Sequence, residues 1–201
     1  MKILVIGATG TIGQAIVNEL SPRHEIVAAC KKQGPVLVDI TNEASIRVLF
    51  EQNRPFDAVV CAAGSVPFAP LKEMTYDLYL SGFQSKLMGQ VRLVLIGQEY
   101  INDNGSFTLT SGILSDDPIR FGSAASTVNG ALNSFVKAAS IELDRGIRVN
   151  AVSPTVITES LPKSAQFFRG FRSVPAQIAA LAYAKSVEGL QTGMVYEVKA
   201  C

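Results

Sequence analysis

The residues best placed to do chemistry stand at the start of the chain. Gly7-Ala8-Thr9-Gly10-Thr11-Ile12-Gly13 sets three glycines at three-residue spacing between an apolar run, 3–6, and a helical pattern that begins at Thr11. Glycines in that context allow a tight turn, approach of the backbone to a pyrophosphate, and close packing of helix on strand. The helix that follows offers free N–H groups and a positive dipole end to phosphates. The spacing therefore predicts dinucleotide binding by Gly7, Thr9, Gly10, Thr11, Ile12 and Gly13. An NAD site usually has an acidic residue at the end of the second strand, and an NADP site a basic one. Here Ala28-Ala29-Cys30 runs into Lys31 and Lys32 with no carboxylate. The pair is expected to meet a 2′-phosphate, which favours NADP with NAD still possible, or else to be a solvated charge pair in a loop. Asp39, closing the next apolar run, is a candidate partner for the adenine amino group, or a cap for a helix beginning near Thr41.

These groups need a scaffold that brings strand ends together. Short apolar runs at 3–6, 25–29, 36–38, 57–61, 106–110, 147–152 and 194–198 read as strands covered on both faces. Helical patterns lie between them at 11–20, 42–53, 75–101, 123–144 and 175–188. In the fourth, Val128, Leu132, Phe135, Val136, Ala139 and Leu143 recur at three- and four-residue steps and make one apolar face. Such alternation predicts an α/β fold: a doubly wound, Rossmann-type parallel sheet of about seven strands with helices on both faces. One connection departs from this. Only residues 30–35 separate the second and third strands, whereas a parallel crossover usually takes a dozen or more. Six extended residues reach roughly 20 Å, so the crossover helix is expected to be missing there.

Composition narrows the function classes. The chain has 201 residues, 48% hydrophobic and 17% charged, which suits one domain, 1–201, with a large core and argues against disorder. Eighteen lysines and arginines against 17 aspartates and glutamates leave a net charge of +1, too balanced for a nucleic-acid binder. No apolar run is long enough for a membrane span, and residues 3–6 are too short for a leader's apolar region. Cys30, Cys61 and Cys201 lack metal-ligand spacing and are odd in number, so a cytoplasmic protein with reduced thiols is expected. The single histidine, His24, excludes a multi-histidine metal site and reads as a loop residue away from catalysis.

Further motifs follow in order. Cys61-Ala62-Ala63-Gly64 closes the fourth strand, Thr110-Ser111-Gly112 the fifth, and Arg148-Val149-Asn150-Ala151-Val152-Ser153-Pro154 the sixth. Ile157 and Thr158 come next, and Gly193-Met194-Val195-Tyr196 opens the last strand. With the glycine turn, this series resembles the short-chain dehydrogenase/reductase family over nearly the whole chain. The resemblance implies that Ala62, Ala63 and Gly64 shape the adenine and ribose side of the cleft. It implies that Ser111 stands at the catalytic serine, and that Pro154, Ile157 and Thr158 lie by the nicotinamide amide.

The family's Tyr-x-x-x-Lys is absent. Aligning Val128-Asn129-Gly130 with the family's Val-Asn-Gly puts Phe121 and Ala125 in its place, and a one-residue slide gives Gly122 and Ser126. Lys137 is roughly 18 Å along the helix from Ala125, too far to substitute. Counting back three from Gly89, the family's catalytic asparagine falls on Lys86. Ser111 and Lys86 remain as catalytic candidates. Ser111 can hydrogen-bond a substrate oxygen, or simply cap a strand end. Lys86, in an apolar cleft beside a cofactor, would serve as acid or electrostatic stabiliser, or else sit on the surface of a long helix.

The expected function is an NAD(P)-dependent oxidoreductase that transfers hydride to a small carbonyl or activated double bond with an altered proton route. The competing reading is a dinucleotide-binding or redox-sensing protein without catalysis. Epimerase or lyase chemistry is disfavoured, because it too normally needs the tyrosine. The helices at 75–101 and 123–144 carry more apolar residues than one buried face requires, so a homo-oligomer is expected. The short stretch 158–193, with Phe167, Phe168 and Phe171, forms a small lid with an aromatic wall, core packing, or a subunit contact.

Overall fold

Alternation along the central strands divides the interior into two cores. The computed structural model describes residues 1–200, and Cys201 lies outside them. From β1 (Lys2–Ile6), Leu4 and Ile6 face one core while Ile3 and Val5 face the other. From β4 (Phe56–Cys61), Val59 and Cys61 divide from Ala58 and Val60 in the same way. A strand buried on both faces needs helices above and below it, and this chain supplies them. The first core is closed by α2 (Glu43–Asn53), α4 (Met88–Gly97) and α5 (Ser123–Ala139). The second is closed by α1 (Thr11–Leu20) and α7 (Ala176–Glu188).

The remaining strands are β2 (Glu25–Cys30), β3 (Val36–Leu37), β5 (Ile101–Thr110), β6 (Arg148–Pro154) and β7 (Val195–Val198). Together they form one parallel sheet in the order β3-β2-β1-β4-β5-β6-β7. The order reverses direction between β1 and β4, which opens a crevice beyond their C-terminal ends. The connection from β2 to β3 holds no helix, as its length predicts. Its economy has a simple cause. β3 pairs only with Ala29 and Cys30, the last residues of β2, so the chain hardly has to return along the sheet.

Two helices differ from the sequence reading. The stretch 75–101 is not one helix. It divides into α3 (Tyr76–Gly82), a π-helical turn over Phe83–Leu87, and α4, and its last residue already belongs to β5. Close packing shapes it: a side chain at Gly82 would strike Val66, and one at Gly89 would strike Ile40. The helix expected over 123–144 ends at Ala139, where the Ser140 hydroxyl donates to the Lys137 carbonyl. Ile141 beyond it is exposed, while Leu143 folds back onto the same core. A four-residue helix, α6 (Leu161–Ser164), follows β6. His24 sits before β2 and shares a 2.9 Å contact with Glu188, remote from the crevice. Cys30 and Cys61 are free and buried. Among the described residues no helix is long and apolar enough to cross a membrane.

Phe50 anchors the first core. It is fully buried, stacks on Tyr100 at 5.5 Å and meets Phe56 edge-on at 6.1 Å. Phe50→Ala is expected to cost about 3–5 kcal/mol. Urea unfolding checks this, and a loss below about 1 kcal/mol would contradict the packing.

Candidate active site

The crevice is built where four strands end. β1 runs into the glycine turn, and α1 leaves it with Gly10 at its cap and no side chain taking the first N–H groups. A Cβ on Gly13 would lie 2.0 Å from the Gly7 carbonyl oxygen, so the helix can sit this close to the strand end only without a side chain there. β4 runs into Ala62-Ala63-Gly64. At Gly64 φ is +114°, and a Cβ would come within 2.7 Å of Lys86 Cα, so the missing side chain makes room for Lys86 to pack across it.

Beyond these turns lies a cleft of about 340 Å³. Ile12, Ala62, Ala63, Gly64, Lys86, Ser111, Pro154 and Ile157 line it, as do Ala125, Asn129, Thr155 and Phe168. The rest of the glycine turn, Lys31, Lys32, Asp39 and Thr158 are not among its lining. Thr158 is exposed, and its hydroxyl bonds to Ser173 at 3.0 Å.

Lys86 is the centre of the polar wall. It lies in the π-helical turn, half-buried rather than on the surface of a long helix. Its ammonium donates to the Ser111 carbonyl oxygen at 2.8 Å and to Asn129 Oδ1 at 2.7 Å. Asn129 Nδ2 in turn donates to the Gly112 carbonyl at 3.2 Å. Burial lowers the ammonium's pKa to about 8. Cys61 is itself pushed up to about 12 by burial and remains a thiol. Ser111 is 3% exposed, and its Oγ has no hydrogen-bond partner. A buried hydroxyl left unpaired costs free energy, which a ligand oxygen would recover.

The end of β5, which carries Ser111, is held by a buried amide. Gln90 Oε1 accepts from the Thr110 N–H at 2.7 Å, and Nε2 donates to the Thr110 carbonyl at 2.9 Å. Thr110 Oγ1 donates to the Cys61 carbonyl at 2.6 Å and meets the Tyr183 hydroxyl at 2.8 Å. Gln90 and Asn129 were missed in the sequence reading. Each left a trace: Gln90 is, with Arg92, one of two polar side chains in a largely apolar helix, and Asn129 is one helical turn beyond Ala125.

Phe121, aligned with the family's tyrosine, is not among the residues that line the cleft. It precedes α5 at φ +68°, with its ring edge-on to Phe167 at 6.0 Å. Asp39 bonds the Thr41 N–H at 3.0 Å and its hydroxyl at 2.7 Å, and pairs with Lys31 at 2.9 Å. The Lys31 bond and the two Thr41 bonds hold its carboxyl down at about 2, while α2 takes its cap from Asn42 instead. Lys31 is therefore shared with a carboxylate, while Lys32 beside it is exposed and makes no ion pair among the described residues. Of the three phenylalanines after β6, Phe168 alone lines the cleft.

The chain is similar to known proteins. A family profile described as enoyl-(acyl carrier protein) reductase matches residues 12–191. An uncharacterised oxidoreductase of Methylorubrum extorquens is 30% identical over 140 residues, 67% of this chain and 56% of that protein. Human L-xylulose reductase is 27% identical over 164 residues, 79% of this chain and 67% of the reductase. The chain thus spans little more than half the length of the first of these relatives. Among solved structures, the protein lin1944 from Listeria innocua aligns with a TM-score of 0.97 at 49% identity, over 98% of this chain and 99% of that one. A small-chain dehydrogenase in complex with NADPH aligns with a TM-score of 0.89 at 27% identity, over 99% and 96%. Sheet order, glycine turn, strand-end motifs and these matches together make this chain a member of the short-chain dehydrogenase/reductase family.

Proposed function

We propose that the chain is an NADP-dependent oxidoreductase that reduces a small carbonyl or activated double bond, with Lys86 and Ser111 in place of the family's tyrosine and lysine. The observation that carries this reading is the fixed ammonium of Lys86 and the unpartnered Ser111 hydroxyl, both from residues that line one cleft. The NADPH held by a structural relative supports the choice of cofactor. Gly7, Thr9, Gly10, Thr11, Ile12 and Gly13 would take the pyrophosphate at the uncapped start of α1. Ala62, Ala63 and Gly64 would line the ribose, and Pro154, Ile157 and Thr158 the nicotinamide. Lys32, with Lys31 shared between Asp39 and ligand, would meet the 2′-phosphate. Asp39 is left to hold the Lys31 loop rather than the adenine.

When bound, the nicotinamide supplies the hydride. Ser111 Oγ hydrogen-bonds the substrate oxygen and orients it. Lys86 gives that oxygen a proton from Nζ, and water returns one to the amine. An ammonium lowered to about 8 is a far better donor near neutral pH than an unassisted serine. The apolar groove between α4 and α5, lined by Leu95, Phe135 and Leu143, supports pairing of two copies.

Binding, turnover and mass measurements test these statements. NADPH should bind more tightly than NADH by fluorescence titration. A Lys31→Ala/Lys32→Ala double variant should lose that preference, and Gly13→Ala should bind neither cofactor. In turnover, Ser111→Ala should lose at least tenfold in kcat/KM, about 1.4 kcal/mol of barrier. Reduction needs protonated Lys86, so kcat should fall as pH rises through about 8, and Lys86→Met should remove that limb along with most of the rate. Tight NADPH binding with no turnover of any carbonyl or enone would favour the sensing protein instead. Light scattering at micromolar concentration should give a mass well above the 21.4 kDa of one chain.

A further inference from the structure

The cleft is electrically unbalanced. Among its described lining residues Lys86 is the only charged side chain, and none is Asp or Glu. The acceptors that hold its ammonium, the Ser111 carbonyl and the Asn129 amide oxygen, are both neutral. No ion pair to Lys86 exists among the described residues. An ammonium has three N–H donors. Two are taken, and the third is left for something in the cleft. A half-buried cation without a counter-ion is costly to keep, and an opposite charge from a ligand offsets that cost.

A second group independently points to the same missing partner. Ser111 Oγ is buried and unpaired, in the residue whose carbonyl holds Lys86. One of these donors carries charge and the other does not, and both belong to residues that line the cleft. Much of the remaining lining is apolar, including Val66, Phe68, Ile113, Leu114 and Phe168.

We infer that the substrate is a small 2-oxo acid with an apolar tail, whose carboxylate pairs with Lys86 while its adjacent carbonyl oxygen accepts from Ser111 Oγ. The assignment rests on the reductase reading above and specifies its substrate. The phosphates of the dinucleotide do not compete for Lys86, because the glycine turn and the lysines after β2 take them at the other end. The reaction balances as 2-oxo acid plus NADPH plus a proton giving 2-hydroxy acid plus NADP⁺. Hydride adds to the carbonyl carbon as the carbon–oxygen π bond breaks. The new alkoxide takes its proton from Lys86 Nζ, which is within reach of both oxygens of the chelate-like pair, and solvent reprotonates the amine.

The test is calorimetric titration of oxamate, a 2-oxo acid mimic, and of its uncharged counterpart oxamide, into the protein with and without saturating NADPH. Oxamate should bind at least tenfold more tightly than oxamide. Lys86→Gln should abolish the difference, and Lys86→Arg should keep it. In turnover, 2-oxobutyrate should exceed its methyl ester at least tenfold in kcat/KM. Equal affinity for the two probes, a preference that survives in Lys86→Gln, or no oxamate binding by NADPH-loaded protein would overturn the assignment while leaving the reductase reading standing. Failure of the protein to bind NADPH at all would overturn the reductase reading, and would show in the cofactor titration before oxamate is added.

Discussion

The cleft depends on one buried side-chain amide. Gln90 pairs with both the N–H and the carbonyl of Thr110, at the end of β5 and beyond its last pairing with β4. Its Nε2 also reaches the Lys86 carbonyl at 3.2 Å, which ties the π-helical turn to the same strand end. Ser111 on one side and Lys86 on the other are thus set by a single fully buried group. A double hydrogen bond to backbone in a dry interior is stiff, and leaving either half unmade would cost about 1–3 kcal/mol. That stiffness keeps an ammonium pointed at a cleft from which it would otherwise swing to water.

Among the described residues that line the cleft, the one cation is Lys86. Ala125 offers only a methyl group, and the charge comes instead from the opposite wall, through Lys86 in its π-helical turn. Asn129, one turn further along α5, completes the exchange by accepting from Lys86 and donating to Gly112. Gly64 permits it by bringing no side chain against the lysine stem. The four groups stand or fall together: a Cβ at residue 64, or an apolar residue at 129, would displace the ammonium without touching a strand.

Much of this was legible in the residues. The glycine turn, the strand-end motifs and the short link from β2 to β3 all follow local rules of spacing, and the fold follows from strands and helices that alternate with those rules. Lys86 and Ser111 could be named, but not their geometry. Whether Lys86 faced water or the cleft turned on a π-helical turn, which adds a residue to the helical repeat and leaves no mark in apolar periodicity. The role of Asn129 could not be read for a related reason. A polar residue on the buried side of a helix becomes intelligible only once its partner is known, and that partner is 43 residues away. Asp39 and Phe121 went the other way. Local turn bonds claimed the first, and a backbone in the left-handed region turned the second toward Phe167.

The abbreviated β3 has a consequence of its own. It is the border strand of the sheet and contributes only Val36 and Leu37. A border strand exposes a row of unpaired N–H and carbonyl groups, a template on which another chain can add its own strand. Two residues make too short a row to guide such growth. The loop before them carries Lys31 and Lys32, whose charge and solvation further oppose an incoming strand. Dispensing with a crossover helix thus also blunts this rim of the sheet against edge-to-edge aggregation.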